Sequence, residues 1–321
     1  MERQKGRSSP PLLLVLLAAL AAGLPLSAAP APWSPSKDTV KLAELGLDAR
    51  EKAWLEARTQ SGGALKAAIR ERLDCYEVAP DGSIKGFDYT LLREFAGTLG
   101  LRLDLRVEKT IDAFFSRNGV MPKDLGAPGT TYDFTPDILK SVDLVVGPFG
   151  IYPWRQSLMT MLPIYPTRNQ LAGRKGEEIR TLKELNGKRI AVIKDSVQQT
   201  ILTNMAAAEK IKIEFEPGVD ESELYRLVAE RKADYLLDAS VIFAKNVKKL
   251  ASLGLSPYPE DIVMTGWSVK KEDTVLASIL GKFLAASQRN GLFGRLWTED
   301  FQMDFNVYLG AVLSAPQTQN K

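Results

Sequence analysis

The sequence predicts an α/β protein built on parallel sheets and large enough for two lobes. Two observations carry that expectation. Short apolar or alternating runs recur along the body, separated by amphipathic stretches of helical spacing, which is the pattern of strand–helix units. A chain of 321 residues with 45% hydrophobic content can also bury a sizeable core. No internal repeat is visible.

Taken in order, residues 29–46 begin rich in Pro and Ala and read as a linker. "LDAREKAWLEAR" (47–58) reads as a short amphipathic helix that packs on the domain. Ala64–Ile69 is a predicted strand, "PDGSIKGFD" a turn, and "YTLLREFAGTLG" a helix ending at Gly100. Leu101–Val107 alternates with period two, as a strand does. Residues 116–135 form a long insertion rich in Gly, Pro and Thr, and Thr135-Pro136 is a helix start. Further strands follow at Asp143–Val146, Arg189–Ile193, Ile211–Phe215, Asp234–Leu237 and Ile262–Val269. Helices are predicted at 197–209, 221–231 and 273–291, and the polar tail as disordered.

The N-terminus stands apart. Arg3, Lys5 and Arg7 precede the apolar run Leu12–Leu20, and small residues follow near Ala28. That order is a secretory signal peptide, and its apolar run is shorter than the roughly 20 residues of a spanning helix. The absence of a cysteine near Ala28 argues against a lipid anchor, so the expected product is soluble and periplasmic. Cleavage after residue 28 would take the formal charge from +3 to +1. A nearly neutral protein has no basic field for nucleic acid or anionic lipid.

The chain contains no histidine, which excludes Ser-His-Asp and Cys-His nucleophile systems and imidazole acid–base work. Cys75 is the only cysteine, so no intrachain disulfide can form, and it is expected to be a partly buried free thiol. No P-loop, dinucleotide fingerprint or metal-spaced cluster is present, and no cofactor is expected. Ser268-Val-Lys-Lys271 satisfies Ser-x-x-Lys but lacks the helper motifs of that chemistry.

In open α/β sheets, ligands sit beyond the carboxyl ends of the strands. That rule singles out Gly147–Gly150, Asp195-Ser196 and Asp238, each directly after a predicted strand. In "VDLVVGPFGIYPWR" a strand breaks at Gly147-Pro148 into a predicted loop that delivers Arg155. A guanidinium fork meets a carboxylate through two parallel hydrogen bonds and stays charged at ordinary pH. A surface arginine is the plainer alternative. Ser196 opens a helix as an N-cap, and a helix N-terminus also offers N–H groups to an anion.

Four stretches in order resemble the bacterial extracellular solute-binding proteins of family 3, the amino-acid-type periplasmic binding proteins. They are "CYEVAPDGSIKGFDYTLLREFAGTLGLRLDLRV", "VDLVVGPFGIYPWR", "TLKELNGKRIAVIKDS" and "LASILGKFLAASQRNGLFGRLW", and the resemblance spans about residues 62–303. It implies a two-lobed type II fold with parallel or mixed sheets and a two-strand hinge. One lobe would be 62–166 plus 261–306 and the other 167–260, leaving 307–321 as tail. The implied ligand site is Tyr76, Phe149, Gly150, Arg155, Ser196 and Asp238, with Arg155 on a ligand carboxylate and Tyr76 as the cleft aromatic. Two positions depart from the family pattern. Gly150 stands where a threonine is usual, and the second-lobe acid falls near Ala239, one residue after Asp238. An ammonium site is therefore in question.

The resulting expectation is an exported, monomeric, non-enzymatic protein. It would capture a small anionic metabolite between two lobes and deliver it to a membrane permease. An accessory or sensory module docking on another periplasmic protein is the alternative. The helix at 47–58 resembles a segment preceding this domain in sensor kinases and lytic transglycosylases. A dehydratase-like enzyme, with Glu77 as the nearest carboxylate, comes third.

Overall fold

In a computed structural model, residues 34–122, 131–194, 196–245, 252–256 and 262–314 are described. The predicted signal peptide, Asp195, residues 315–321 of the predicted tail and the centre of the 116–135 insertion lie outside them. The strands are β1 (Ala64–Arg70), β2 (Glu77–Val78), β3 (Ile84–Lys85), β4 (Arg102–Glu108), β5 (Leu144–Gly150) and β6 (Thr160–Thr167). They continue as β7 (Asn169–Arg174), β8 (Lys188–Ile193), β9 (Ile213–Gly218), β10 (Tyr235–Ala239), β11 (Leu253–Leu255) and β12 (Val263–Val269). The helices are α1 (Ala49–Gln60), α2 (Phe87–Thr98), α3 (Asp112–Phe115), α4 (Pro153–Gln156) and α5 (Val197–Glu209). Then come α6 (Glu221–Ala229), α7 (Ser240–Lys245), α8 (Thr274–Arg289), α9 (Leu292–Phe301) and α10 (Phe305–Ser314).

Two five-stranded sheets result, ordered β4-β1-β5-β12-β6 and β11-β7-β10-β8-β9. Both are mixed rather than parallel. β1 runs parallel to β4 and β5, whereas β12 is antiparallel to β5 and β6. In the second sheet β8 is parallel to β9 and β10, while β7 is antiparallel to β10 and β11. The chain crosses between sheets at Arg168, between β6 and β7, and returns between β11 and β12.

Three antiparallel strands, β6, β7 and β11, are ones the pattern hid, whereas β12 matches a predicted strand. β6 contains Pro163 and Pro166, which read as strand breakers, but it is an edge strand, where a missing N–H is tolerated. The predicted loop Gly147–Gly150 is instead the second half of β5, paired to β12 through a register shift between Gly266 and Ser268. A bulge of this kind bends a strand without ending it. At Gly147, a Cβ would come within 2.7 Å of the Phe149 ring, so the side-chain-free position lets that ring fold back.

Around the first sheet, residues 34–46 are packed rather than loose. Val40 is buried, and Asp38 pairs with Arg295 at 2.9 Å. Asp48 caps α1 by accepting from the Glu51 backbone, and the Glu51 side chain returns the bond. Gly86 precedes α2 at φ +124°, and a Cβ there would run into the Cys75 backbone. A glycine is required at that turn. Thr135-Pro136 opens only a single 3-10 turn, Asp137–Lys140, because β5 begins four residues later. Beyond α9, α10 runs through Ser314, so residues 307–314 are helical where the disordered tail is expected. Tyr308 and Val312 are buried against an aromatic cluster of Phe293, Trp297 and Phe305.

Candidate functional site

A cleft of about 470 Å³ lies where the carboxyl ends of β1 and β5 face those of β8 and β10. Phe149, Gly150, Arg155, Ser196 and Asp238 all line it. Tyr76 does not. The tight turn after β1, in which the Arg72 N–H donates to the Tyr76 carbonyl at 3.0 Å, sends its ring to pack edge-on against Tyr89 at 5.4 Å. Glu77, on β2, is outside the lining as well.

Arg155 sits on the single turn of α4, started by Pro153. It is 3% exposed, and its Nη1 donates to the Gly150 carbonyl at 2.9 Å. Four rings surround the guanidinium: Phe115 at 4.8 Å, Trp154 at 4.9 Å, Tyr152 at 5.3 Å and Phe149 at 5.8 Å. Aromatic faces stabilise a desolvated cation but do not neutralise it. Burial lowers its pKa to about 10, with the nearby Arg70 also pushing down, so the group stays charged at neutral pH. Arg70, at the end of β1, is lowered first by burial and then by Arg72. The Nε atoms of both Arg70 and Arg155 are buried without a hydrogen bond. Among the described residues, neither arginine forms an ion pair.

Gly150 has no room for a hydroxyl-bearing side chain. A Cβ there would lie 2.7 Å from the Tyr152 ring and 3.1 Å from Val263. Ser196 is the N-cap of the 13-residue α5, accepting from the Gln199 N–H at 3.2 Å, and it faces the cleft from the second lobe. Asp238 is the fourth residue of β10 and is 4% exposed. Its Oδ1 accepts from the Ala239 N–H, whereas Oδ2 is buried without a partner. Burial raises its pKa; Arg72 opposes that shift and Glu221 adds to it.

The sequence reading missed Arg70, Arg72, Asp74 and Glu221. Arg72 Nε lies 3.0 Å from Asp74 Oδ1 and 3.3 Å from Glu221 Oε1, and the Glu221 contact spans the two lobes. Burial favours the neutral guanidine, but Asp74, Glu221 and Asp238 together outweigh it and raise the pKa. The signal was present, since "RER" directly follows the strand Ala64–Ile69, at the end where ligands sit. Cys75 is fully buried, not partly, and burial beside Asp88 and Asp74 pushes its thiol well above the usual range. A larger hollow of about 960 Å³ lies far from these charges, lined by Leu42, Leu47, Leu55 and Leu99 among others.

An ancestral amino acid-binding protein, a precursor of cyclohexadienyl dehydratase, matches at TM-score 0.61 and 16% identity, covering 77% of this chain and 99% of its own. The cysteine-binding protein of Campylobacter jejuni matches at TM-score 0.60 and 16% identity over 78% and 93% of the two chains. The fold is that of the two-lobed type II periplasmic binding proteins. It is shared with the amino-acid-binding proteins of family 3. No family model matches the chain.

Sequence relatives carry a different name. The membrane-bound lytic murein transglycosylase F of Stutzerimonas stutzeri is 28% identical over 282 residues, which is 86% of this chain and 54% of that one. Its namesake in Pseudomonas putida strain W619 is 26% identical over 286 residues, with the same coverage. The chain thus spans about half the length of the curated relatives it matches. Two expectations are corrected by these names, capture of a metabolite for a permease and the absence of enzymatic function, because the relatives are named as enzymes. No helix among the described residues is long and apolar enough to cross a membrane.

Proposed function

We propose that this chain is a ligand-responsive, two-lobed unit working in murein cleavage, exported to the compartment where murein lies. Its cleft takes the anionic group of a murein-derived fragment, and lobe closure on that fragment is the signal. The observation that carries the reading is Arg155, a buried cation that faces a cleft together with Arg70 and without an ion-pair partner among the described residues. A buried charge left this way is costly unless something pairs with it. The fork geometry suits a carboxylate or phosphate. Ser196 and the first N–H groups of α5 approach the same space from the other lobe, so one anion would bridge both. A ligand that binds the closed arrangement better than the open one shifts the balance between them. The relatives' names supply the murein setting.

The test is a thermal-shift screen of the protein against a fractionated murein digest and a panel of simple organic acids. A ligand at about 100 times its dissociation constant stabilises by roughly 2.7 kcal/mol, a visible shift. An anionic digest fraction should raise the melting temperature of the wild type and leave that of Arg155→Ala unchanged. Binding of simple acids alone would remove the murein link. Binding of nothing, or equal binding by Arg155→Ala, would remove the reading.

A further inference from the structure

The cleft has a second half, and the chain fills it with its own side chain. Arg72 and Asp74 follow β1 in the first lobe, while Glu221 opens α6 and Asp238 is the penultimate residue of β10 in the second. The Arg72 guanidinium stands between these acids, at 3.0 Å from Asp74 and 3.3 Å from Glu221, with its side chain 7% exposed. Asp238 lines the same cleft, adds its charge to the field on Arg72, is 4% exposed and keeps Oδ2 buried with no hydrogen-bond partner. The turn in which the Cys75 and Tyr76 N–H groups donate to the Arg72 carbonyl fixes the residue in this position. Three carboxylates around one point make a cation site, and a tethered guanidinium sits in it.

We propose that Arg72 is a specificity determinant that occupies the cation half of the cleft, so that ligands bringing an ammonium or guanidinium group are rejected. The inference rests on the preceding reading of the cleft as a ligand site. A free cation entering the wild type would have to displace a side chain tethered on the spot, whose effective concentration it cannot match. It would also bring a like charge beside Arg72. Anionic ligands avoid both costs, because Arg70 and Arg155 lie on the unoccupied half. Removing the Arg72 side chain should open a site of guanidinium size lined by acids.

Chemical rescue tests this. Arg72→Ala should melt lower than wild type, and low-millimolar methylguanidinium should restore its melting temperature in a saturable way. Sodium chloride at equal ionic strength should not do so. Wild type should show no saturable shift with the same probe. Adding Asp238→Asn to the variant should weaken methylguanidinium binding by about 30-fold or more, since one buried charge partner is lost. If Arg72→Ala does not fold by itself, recovery of its folded state on adding methylguanidinium, and not on adding sodium chloride, reads the same binding. Equal rescue by sodium chloride, a saturable response in the wild type, or rescue indifferent to Asp238→Asn would each overturn the proposal. Because the probe is a cation, its result is independent of the murein screen: rescue with no digest binding leaves this inference standing and removes the other.

Discussion

Two buried charge clusters in this molecule each set carboxylate against cation and behave in opposite ways. At the base of the first lobe, Glu51 of α1 is 2% exposed and meets Lys282 at 2.5 Å and Ser278 at 2.6 Å on α8. Burial alone would raise its pKa, but those two bonds and one from the Asp48 backbone hold it at about 2. Every oxygen of that carboxylate has a donor. Behind the cleft-lining Arg72, Asp74 is also buried, yet neither of its oxygens has a hydrogen bond, and burial raises its pKa despite Arg72. The first cluster is a fastening. The second carries unmet electrostatic demand, which native structures usually concentrate where a ligand or a moving part will meet it.

The largest effect should come from breaking the cleft cluster. Arg72→Ala strips the cation from three carboxylates and should cost about 3–5 kcal/mol, the usual range when one partner of a buried pair is removed. Urea unfolding of wild type and variant measures it. A cost under about 1 kcal/mol would show that solvent already compensates these acids, and the contrast between the clusters would fail. The next effect belongs to the fastening. Glu51→Gln keeps the shape, loses the ion pair with a partly exposed Lys282, and should cost about 1–3 kcal/mol. With the acid pKa depressed, the wild-type contribution is present above the ordinary pKa of 4.5 and is lost as pH falls towards about 2. The variant should therefore lose less stability than the wild type between those limits.

How much of this was legible depended on whether a residue's role is local. β1, β8 and α5 follow from alternation, helical spacing and a serine cap, all of which are local facts. Phe149, Gly150, Arg155, Ser196 and Asp238 share one cleft because the ends of parallel strands share an edge, which topology alone dictates. β6 escaped notice because Pro163 and Pro166 are admissible only at an edge, and a strand's place in a sheet is not local. Arg72 was missed for a similar reason: its partners Glu221 and Asp238 lie more than a hundred residues along the chain. Tyr76 was placed by resemblance, and the Arg72–Tyr76 turn carries it away from the cleft.

Gly150 offers a smaller and sharper test. The Tyr152 ring occupies the space of any side chain at 150, and Tyr152 is one of the faces over Arg155. Gly150→Thr should cost about 1–3 kcal/mol as an overpacked site. It should also weaken anion binding by displacing that ring. A variant that binds normally at full stability would show that the ring moves freely and does not hold Arg155.

The effect that is smallest at pH 5 is expected at Asp88, and it grows with pH. This carboxyl, on α2, is 1% exposed and accepts from Trp267 Nε1 at 2.6 Å. Burial, then the charge of Asp74, raise its pKa from 3.8 to about 8, against the hydrogen bonds from Trp267 and Cys75. The unfolded chain ionises near 3.8, so between that value and about 8 the folded state holds one extra proton. Stability from this group is therefore highest at low pH and falls as pH rises through the window, by up to about 1.4 kcal/mol per pH unit. An amide cannot ionise and can still accept from Trp267. Asp88→Asn should accordingly change stability by less than about 1 kcal/mol at pH 5. It should then gain steadily on the wild type up to pH 8, where the wild type buries a charge and the variant does not. Urea unfolding at pH 5, 6.5 and 8 reads the difference. A gap that stays constant across the three would mean that Asp88 is already ionised in the fold, and the cleft acids would then have the paired character of Glu51.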